Sequence, residues 1–159
     1  MRRLRLRSLL LGLPSAPDVA GLRAVQAEDR DALAALMFAA YAGTIDAEPS
    51  DTLDGAAREV QTTFDGVYGP FLPAASFVVV RGAELASATL VTRFDGAPMI
   101  AFTLTAPAFA RQGLGRALML HSMAALAGAG EQRVDLAVTD GNTPAQRLYA
   151  QLGFFEVPR

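Results

Sequence analysis

The stretch Ala110-Arg111-Gln112-Gly113-Leu114-Gly115-Arg116 follows an apolar run and leads directly into a segment with helical spacing. Two glycines let the main chain pass close to a ligand. The N–H groups of a first helical turn, reinforced by the helix dipole, then face whatever anion sits there. The loop therefore reads as a candidate cradle for the phosphates of an anionic cofactor. Loops before helices also carry glycines merely to turn the chain, so the flanking segments have to decide. No Lys-Ser/Thr pair follows the glycines, which argues against a P-loop.

Upstream, Ser76 to Arg81, Leu85 to Phe94 and Met99 to Thr105 read as strands. They are separated by the turns Gly82-Ala83-Glu84 and Asp95-Gly96-Ala97-Pro98, which makes an antiparallel meander. Downstream come a helix from about Leu114 to Gly128, a strand at Arg133 to Val138, a helix at Pro144 to Leu152 and a stub of strand at Phe154 to Val157. Strand, glycine loop, helix, strand, helix is a crossover unit with a parallel strand pair, and such sheets bind ligands at the carboxyl ends of their strands. The fold class is α/β, a mixed sheet with a meander followed by a parallel β-α-β-α unit. Before the meander, a short strand at Leu22 to Gln26 precedes a helix at Asp29 to Tyr41, where Leu33, Leu36, Met37 and Ala40 share a face. A second helix covers Leu53 to Phe64 behind Thr52 as a cap.

A chain of 159 residues, 52% hydrophobic, supports one core. Residues 22–159 read as the domain and 1–21 as an arm or an extra edge strand. Arg3-Leu4-Arg5-Leu6-Arg7 has strand period, while Leu9-Leu10-Leu11 is cut short by Gly12 and Pro14, too soon for a secretory or membrane segment. A cytoplasmic location is expected. A formal net charge of −2 gives no reason to expect nucleic-acid binding. The chain has no cysteine, which excludes disulfides, thiolate metal sites and a cysteine nucleophile within it. Its one histidine, His121, falls inside the helix after the loop, so no metal site is expected.

The second informative segment is Asp140-Gly141-Asn142-Thr143-Pro144-Ala145-Gln146-Arg147-Leu148-Tyr149-Ala150-Gln151-Leu152-Gly153-Phe154. Together with the glycine loop it resembles the GCN5-related N-acetyltransferase (GNAT) superfamily. There the loop follows R/Q-x-x-G-x-G/A and the later segment N-x-x-A-x-x-L-Y-x-x-x-G-F. The order of elements is similar from about Arg23 to Val157, with the specific residues between Thr105 and Phe154. Where the family usually has Arg or Gln this chain has Ala110, so a side-chain contact is lost while main-chain donors remain.

The resemblance implies a sheet whose two parallel strands splay apart around the pantetheine arm of acetyl-coenzyme A. It assigns pyrophosphate contacts to the main-chain N–H groups of Arg111, Gln112, Gly113, Leu114, Gly115 and Arg116, and arm contacts to the main chain of Leu104 and Thr105. Asn142 and Ala145 are further implied contacts, although Asn142 equally suits a helix start. Tyr149 is the implied catalytic donor to the departing thiolate; as a bland alternative it is a half-buried aromatic with an ordinary hydrogen bond. No general base is evident. Asp46, Glu48 and Asp51 fall in the loop that borders the acceptor groove in the family, where they would attract a cationic acceptor or merely solvate the surface.

The expected function is direct transfer of an acetyl group from acetyl-coenzyme A to a primary amine, a small molecule or a peptide, through a ternary complex. A coenzyme A-binding or sensing module of the same fold is the alternative. Acceptor specificity is expected in Tyr41 to Asp54 and in the loop Tyr68 to Pro73, with Phe71 as a pocket wall. Apolar strand edges also make a homodimer an expectation.

Overall fold

The computed structural model describes residues 2–48 and 51–158. The strands are β1 (Arg3–Leu9), β2 (Leu22–Ala24), β3 (Phe77–Arg81), β4 (Glu84–Phe94), β5 (Ala97–Thr105), β6 (Arg133–Thr139) and β7 (Phe155–Val157). The helices are α1 (Arg30–Tyr41), α2 (Leu53–Phe64), α3 (Leu114–Gly128) and α4 (Thr143–Gln151). One 7-stranded sheet runs in the order β2-β3-β4-β5-β6-β1-β7. Only β5 and β6 pair in parallel, and every other neighbouring pair is antiparallel.

Burial follows from this order. The interior strand β4 is buried along almost its whole length, because helices cover both faces. On one face Leu33, Leu36 and Val60 of α1 and α2 pack on Val78, Leu90 and Leu104. On the other, Met119 and Met123 of α3 pack with Leu4, Leu6, Leu136, Val138 and Phe154. The Thr52 hydroxyl accepts the Gly55 N–H at 2.9 Å and caps α2 as expected.

The N-terminal segment corrects the sequence reading. Residues 3–9 are neither an arm nor an edge strand: β1 lies inside the sheet, between β6 and β7. Its alternation sends Leu4, Leu6 and Ser8 into the core and places Arg3, Arg5 and Arg7 on the opposite face, aligned with Thr139, Ala137 and Asp135 of β6. Asp135 is 1% exposed and fastens the pair, with Oδ2 2.7 Å from Arg5 Nη2 and Oδ1 2.8 Å from Arg7 Nε. Burial pushes the Asp135 pKa up, but hydrogen bonds and charge from Arg7 and Arg5 outweigh it and hold the carboxyl below its usual range. Period alone sets which face each residue takes. It does not name the neighbouring strand, and here the neighbour is contributed from the far end of the sequence.

Candidate functional site

The parallel pair β5/β6 is short. Its register is confined to Met99↔Asp135 and Ile100↔Leu136, after which β5 continues to Thr105 and β6 to Thr139 without pairing. The cause lies on the far side of β5, where the β4 register shifts between Leu90↔Phe102 and Val91↔Ile100 and leaves Ala101 as an extra residue. A bulge bends its strand and raises its twist, so β5 turns away from β6 at the residue where pairing stops. The resulting groove has a volume of about 800 Å³.

Strand alternation decides which main-chain groups face this groove. The Leu104 carbonyl accepts the Ser87 hydroxyl of β4 at 2.8 Å, and the Ala106 N–H donates to Ala86 O of β4 at 2.9 Å. The main chain of Leu104 is therefore turned to β4 and its side chain is buried in the core, although the residue still borders the groove. Thr103 and Thr105, one residue to either side, turn their peptide groups the other way. The Thr103 hydroxyl is buried without a hydrogen-bond partner of normal geometry.

Beyond the end of β5, where Gly115 approaches Thr103 and Thr105, the glycine loop takes the form its composition suggests; none of residues 110–116 lines the groove itself. Arg111 (φ 64°) and Gly113 (φ 74°) are both left-handed, a conformation that costs a non-glycine residue about 1–2 kcal/mol. Gly113 occupies the N-cap of α3, a 15-residue helix whose start has no side-chain cap and no acidic residue in the first turn. The first helical bond runs from Ala117 N–H to Gly113 O, which leaves the Leu114, Gly115 and Arg116 N–H groups at the positive end of the helix. A Cβ built on Gly113 meets nothing within 4 Å, so the space in front of the loop is open.

At the other end, α4 brings Tyr149, Asn142 and Ala145 to the groove wall. Asn142 Oδ1 accepts the Ala145 N–H at 3.4 Å, so both residues take part in a long helix cap. Tyr149 is half-buried, its ring 5.9 Å from that of Phe154. Burial raises its pKa above the usual value; Arg3 opposes this, Asp46 adds to it, and the nearby Thr103 hydroxyl lowers it slightly. The phenol is thus protonated at neutral pH.

Three contributors to this end were missed from the sequence. Arg3 reaches the groove from β1, its Nη1 donating to Thr139 Oγ1 at 3.4 Å. Thr139 donates in turn to Asp46 Oδ1 at 2.6 Å, which ties the α1–α2 loop across to β6. Thr103 supplies the buried hydroxyl. No local motif marks any of them, because each is brought in by sheet order or loop closure. The segment after Tyr41 does line the groove, through Thr44, Ile45, Asp46 and Glu48. The loop Tyr68 to Pro73 does not. It is laid along β4 by Leu72 N–H to Val91 O and Arg93 N–H to Pro70 O, at 2.9 and 2.8 Å. A side chain at Gly69 would collide with Arg93 O, and Phe71 packs on Phe64 with centroids 5.0 Å apart, so Phe71 is core rather than a pocket wall. His121 is a surface contact of α3, its Nε2 2.7 Å from Pro17 O. Among the described residues no cluster of His, Cys, Asp or Glu is arranged for a metal.

A meander, a bulged and parted parallel pair, an uncapped helix behind a glycine loop and a tyrosine at the parting define an acyltransferase-type fold. The model of the acetyltransferase (GNAT) family matches residues 52–154, and the chain belongs to that family. The match starts at α2, so β1 and α1 lie outside it. No curated protein matches the sequence. Among solved structures, the chain is similar to a GCN5-related N-acetyltransferase from Sphaerobacter thermophilus, with 19% identity, a TM-score of 0.73 and coverage of 98% of this chain and 48% of that one. It is also similar to the ribosomal-protein-S18-alanine N-acetyltransferase of Escherichia coli, with 22% identity, TM-score 0.68 and coverage of 86% and 78%. A third likeness is to the PaiA N-acetyltransferase of Thermoplasma acidophilum in complex with coenzyme A, with 15% identity, TM-score 0.63 and coverage of 82% and 86%. The chain spans about half the length of the first of these, and at such identities the likeness is one of fold. No helix among the described residues is long and apolar enough to cross a membrane.

Proposed function

We propose that the protein is an N-acetyltransferase that passes an acetyl group from acetyl-coenzyme A directly to a primary amine held in the same groove. The observation that carries this reading is the parting of β5 from β6 beside the Tyr149 phenol, with the uncapped α3 N-terminus following the end of β5. One continuous groove of about 800 Å³ suits a long cofactor arm and an acceptor together.

When bound, acetyl-coenzyme A supplies an activated thioester. The main-chain N–H groups of Arg111 to Arg116 hold its pyrophosphate; Ala110 contributes no side-chain charge, so main-chain donors carry the contact. Thr103 and Thr105 pair through their peptide groups with the amide arm. In the reaction a C–N bond forms and the thioester C–S bond breaks. The attacking amine gives up one proton to water, and the leaving sulfur gains one. Tyr149 holds the proton that meets this sulfur. Its pKa lies above the usual 10, whereas a thiol titrates near 8.5, so complete transfer is uphill. The phenol therefore acts chiefly as a hydrogen bond that strengthens as charge builds on sulfur. Holding thioester and amine in one groove supplies a further several kcal/mol of the barrier reduction, about 7 kcal/mol or more in well-oriented systems.

The test is calorimetric titration with acetyl-coenzyme A, dephospho-coenzyme A and ATP, followed by thiol release over a panel of amines. Selective binding with turnover supports the enzyme. Binding without turnover for any amine supports the coenzyme A-binding module, which the Ala110 substitution of the usual Arg or Gln favours. Gly113→Val separates the cradle from the remainder of the groove. A β-branched residue at φ 74° is strained and places methyl groups in the open space before the loop. Acetyl-coenzyme A affinity should fall at least about tenfold, or about 1.4 kcal/mol, because the added methyl groups keep a phosphate from closing on the main-chain donors. Unchanged affinity in a folded variant places the phosphates elsewhere.

A further inference from the structure

Hydroxyl side chains gather where β4, β5 and α3 pack together. The β4/β5 register sets Thr103 opposite Thr89 and Thr105 opposite Ser87. Ser87 Oγ donates to Leu104 O at 2.8 Å and lies 2.9 Å from Thr105 Oγ1, while Thr89 Oγ1 lies 2.9 Å from Ser122 Oγ of α3. Strand alternation turns Thr103 and Thr105 to the α3 side of the sheet, where a Cβ built on Gly115 would meet Thr105 Oγ1 at 3.6 Å and Thr103 Cγ2 at 3.9 Å. The methyl of Thr103 is thus toward α3, and its cross-strand neighbour Thr89 is already bonded to Ser122. The Thr103 hydroxyl is left over, and among the described residues it is the one buried side-chain polar atom outside ordinary hydrogen-bond geometry.

A buried hydroxyl with no full partner costs stability, so such an atom in a groove wall points to a group that it serves. That group is the Tyr149 phenol. Tyr149 packs against the core on the same side of the sheet, lines the groove together with Thr103, and is the side chain with which the Thr103 hydroxyl interacts. Each of the two hydroxyls carries one proton. With the Thr103 proton on the phenol oxygen, the Tyr149 proton is turned away from β5 into the open groove. The opposite arrangement would spend the Tyr149 proton on Thr103. Catalytic hydrogen bonds are commonly long before substrate binds and tighten as the reaction proceeds.

We propose that Thr103 is a positioning residue, whose hydroxyl donates to the Tyr149 phenol oxygen, aims the phenol proton into the groove and stabilises the negative charge that this oxygen acquires during acetyl transfer. This rests on the acetyl transfer proposed above. As the thioester C–S bond breaks, its electron pair goes to sulfur and the Tyr149 proton shifts toward that sulfur. The phenol oxygen gains negative character, and the Thr103 proton stays on its own oxygen throughout. The titratable groups facing Tyr149 are Arg3 of β1, Asp46 of the α1–α2 loop and Tyr41 of α1, and a change at Thr103 leaves all three in place.

The experiment is Thr103→Val, which keeps the branched shape and the main chain, made in wild type and in Tyr149→Phe. Thiol release with the best amine should show kcat lower by about five- to thirtyfold, as for one hydrogen bond to a partly charged oxygen, with the acetyl-coenzyme A KM within about twofold. In the Tyr149→Phe background the same substitution should change kcat by less than about twofold, because its effect passes through the phenol. Thr103→Ser restores the hydroxyl and should recover kcat to within about threefold of wild type. Carbon NMR of ring-labelled tyrosine, with the Tyr149 signal identified by its loss in Tyr149→Phe, should show the phenol titrating at higher pH in Thr103→Val, since losing a donor disfavours the phenolate. Wild-type kcat in the valine variant, an equal loss in both backgrounds, or an unmoved phenol titration overturns the proposal. Failure of the acetyl-transfer reading looks different: wild type releases no thiol with any amine while the phenol titration still moves up in Thr103→Val, and the catalytic role of Thr103 then falls with that reading.

Discussion

Asp135→Asn is expected to destabilise the protein by about 3 kcal/mol, because it removes the buried anion that faces Arg5 and Arg7 and leaves their charges against an amide. For a chain of this size that corresponds to a fall in Tm of roughly 6–12 °C. The loss is concentrated between β1 and β6, where the carboxylate joins strands far apart in sequence. The acid dependence has a definite sign. The folded-state pKa of Asp135 is depressed, so its stabilisation is complete above the unfolded value of about 3.9 and is lost as pH falls through the lower folded value. The Tm gap between wild type and variant should therefore be full at pH 7 and narrow below about pH 4. Thermal unfolding by circular dichroism across this range measures both. A Tm at pH 7 equal to that of wild type would mean that the paired strands hold together without the clamp.

Tyr149→Phe is expected to lower kcat by about ten- to a thousandfold while leaving acetyl-coenzyme A affinity within about threefold. The substitution removes one hydroxyl and keeps the ring that packs on Phe154, so folding and groove shape persist. The range is bounded on both sides. A phenol with a raised pKa is a reluctant acid toward a thiolate, which excludes total dependence on it. Its position in a half-buried groove strengthens a hydrogen bond to growing charge, which excludes a negligible effect. Thiol release with the best acceptor reads kcat, and calorimetry reads affinity. Equal turnover by the phenylalanine variant would assign the proton to water and leave Tyr149 as a packing residue.

Much of the architecture was legible in the chain. The meander, α3 and α4 were predicted close to their observed limits, because their apolar periods are long and their breaks are marked by Gly and Pro. The glycine loop was legible for a related reason: left-handed backbone at Gly113 and an uncapped helix start are local consequences of residue type. The phase of β5 was not legible, because apolar character does not reveal which way a peptide group points. The Ala101 bulge sets that phase, and it depends on the β4 register. Phe71 was misassigned because a loop aromatic reads as exposed until Gly69 is seen to press its loop onto β4.

Sequence alone determined the elements, the faces they bury and the glycine loop, since propensity, period and turn chemistry act over a few residues. Tertiary structure decided the remainder. It placed β1 between β6 and β7, brought Arg3 and Asp46 together at Thr139, and opened the groove by bending β5 away from β6. The first two are pairings between groups separated by most of the chain, whereas the groove follows from a register shift between neighbouring strands of the meander. Such pairings are fixed by which surfaces are left to bury and which charges are left to neutralise once the local elements have formed.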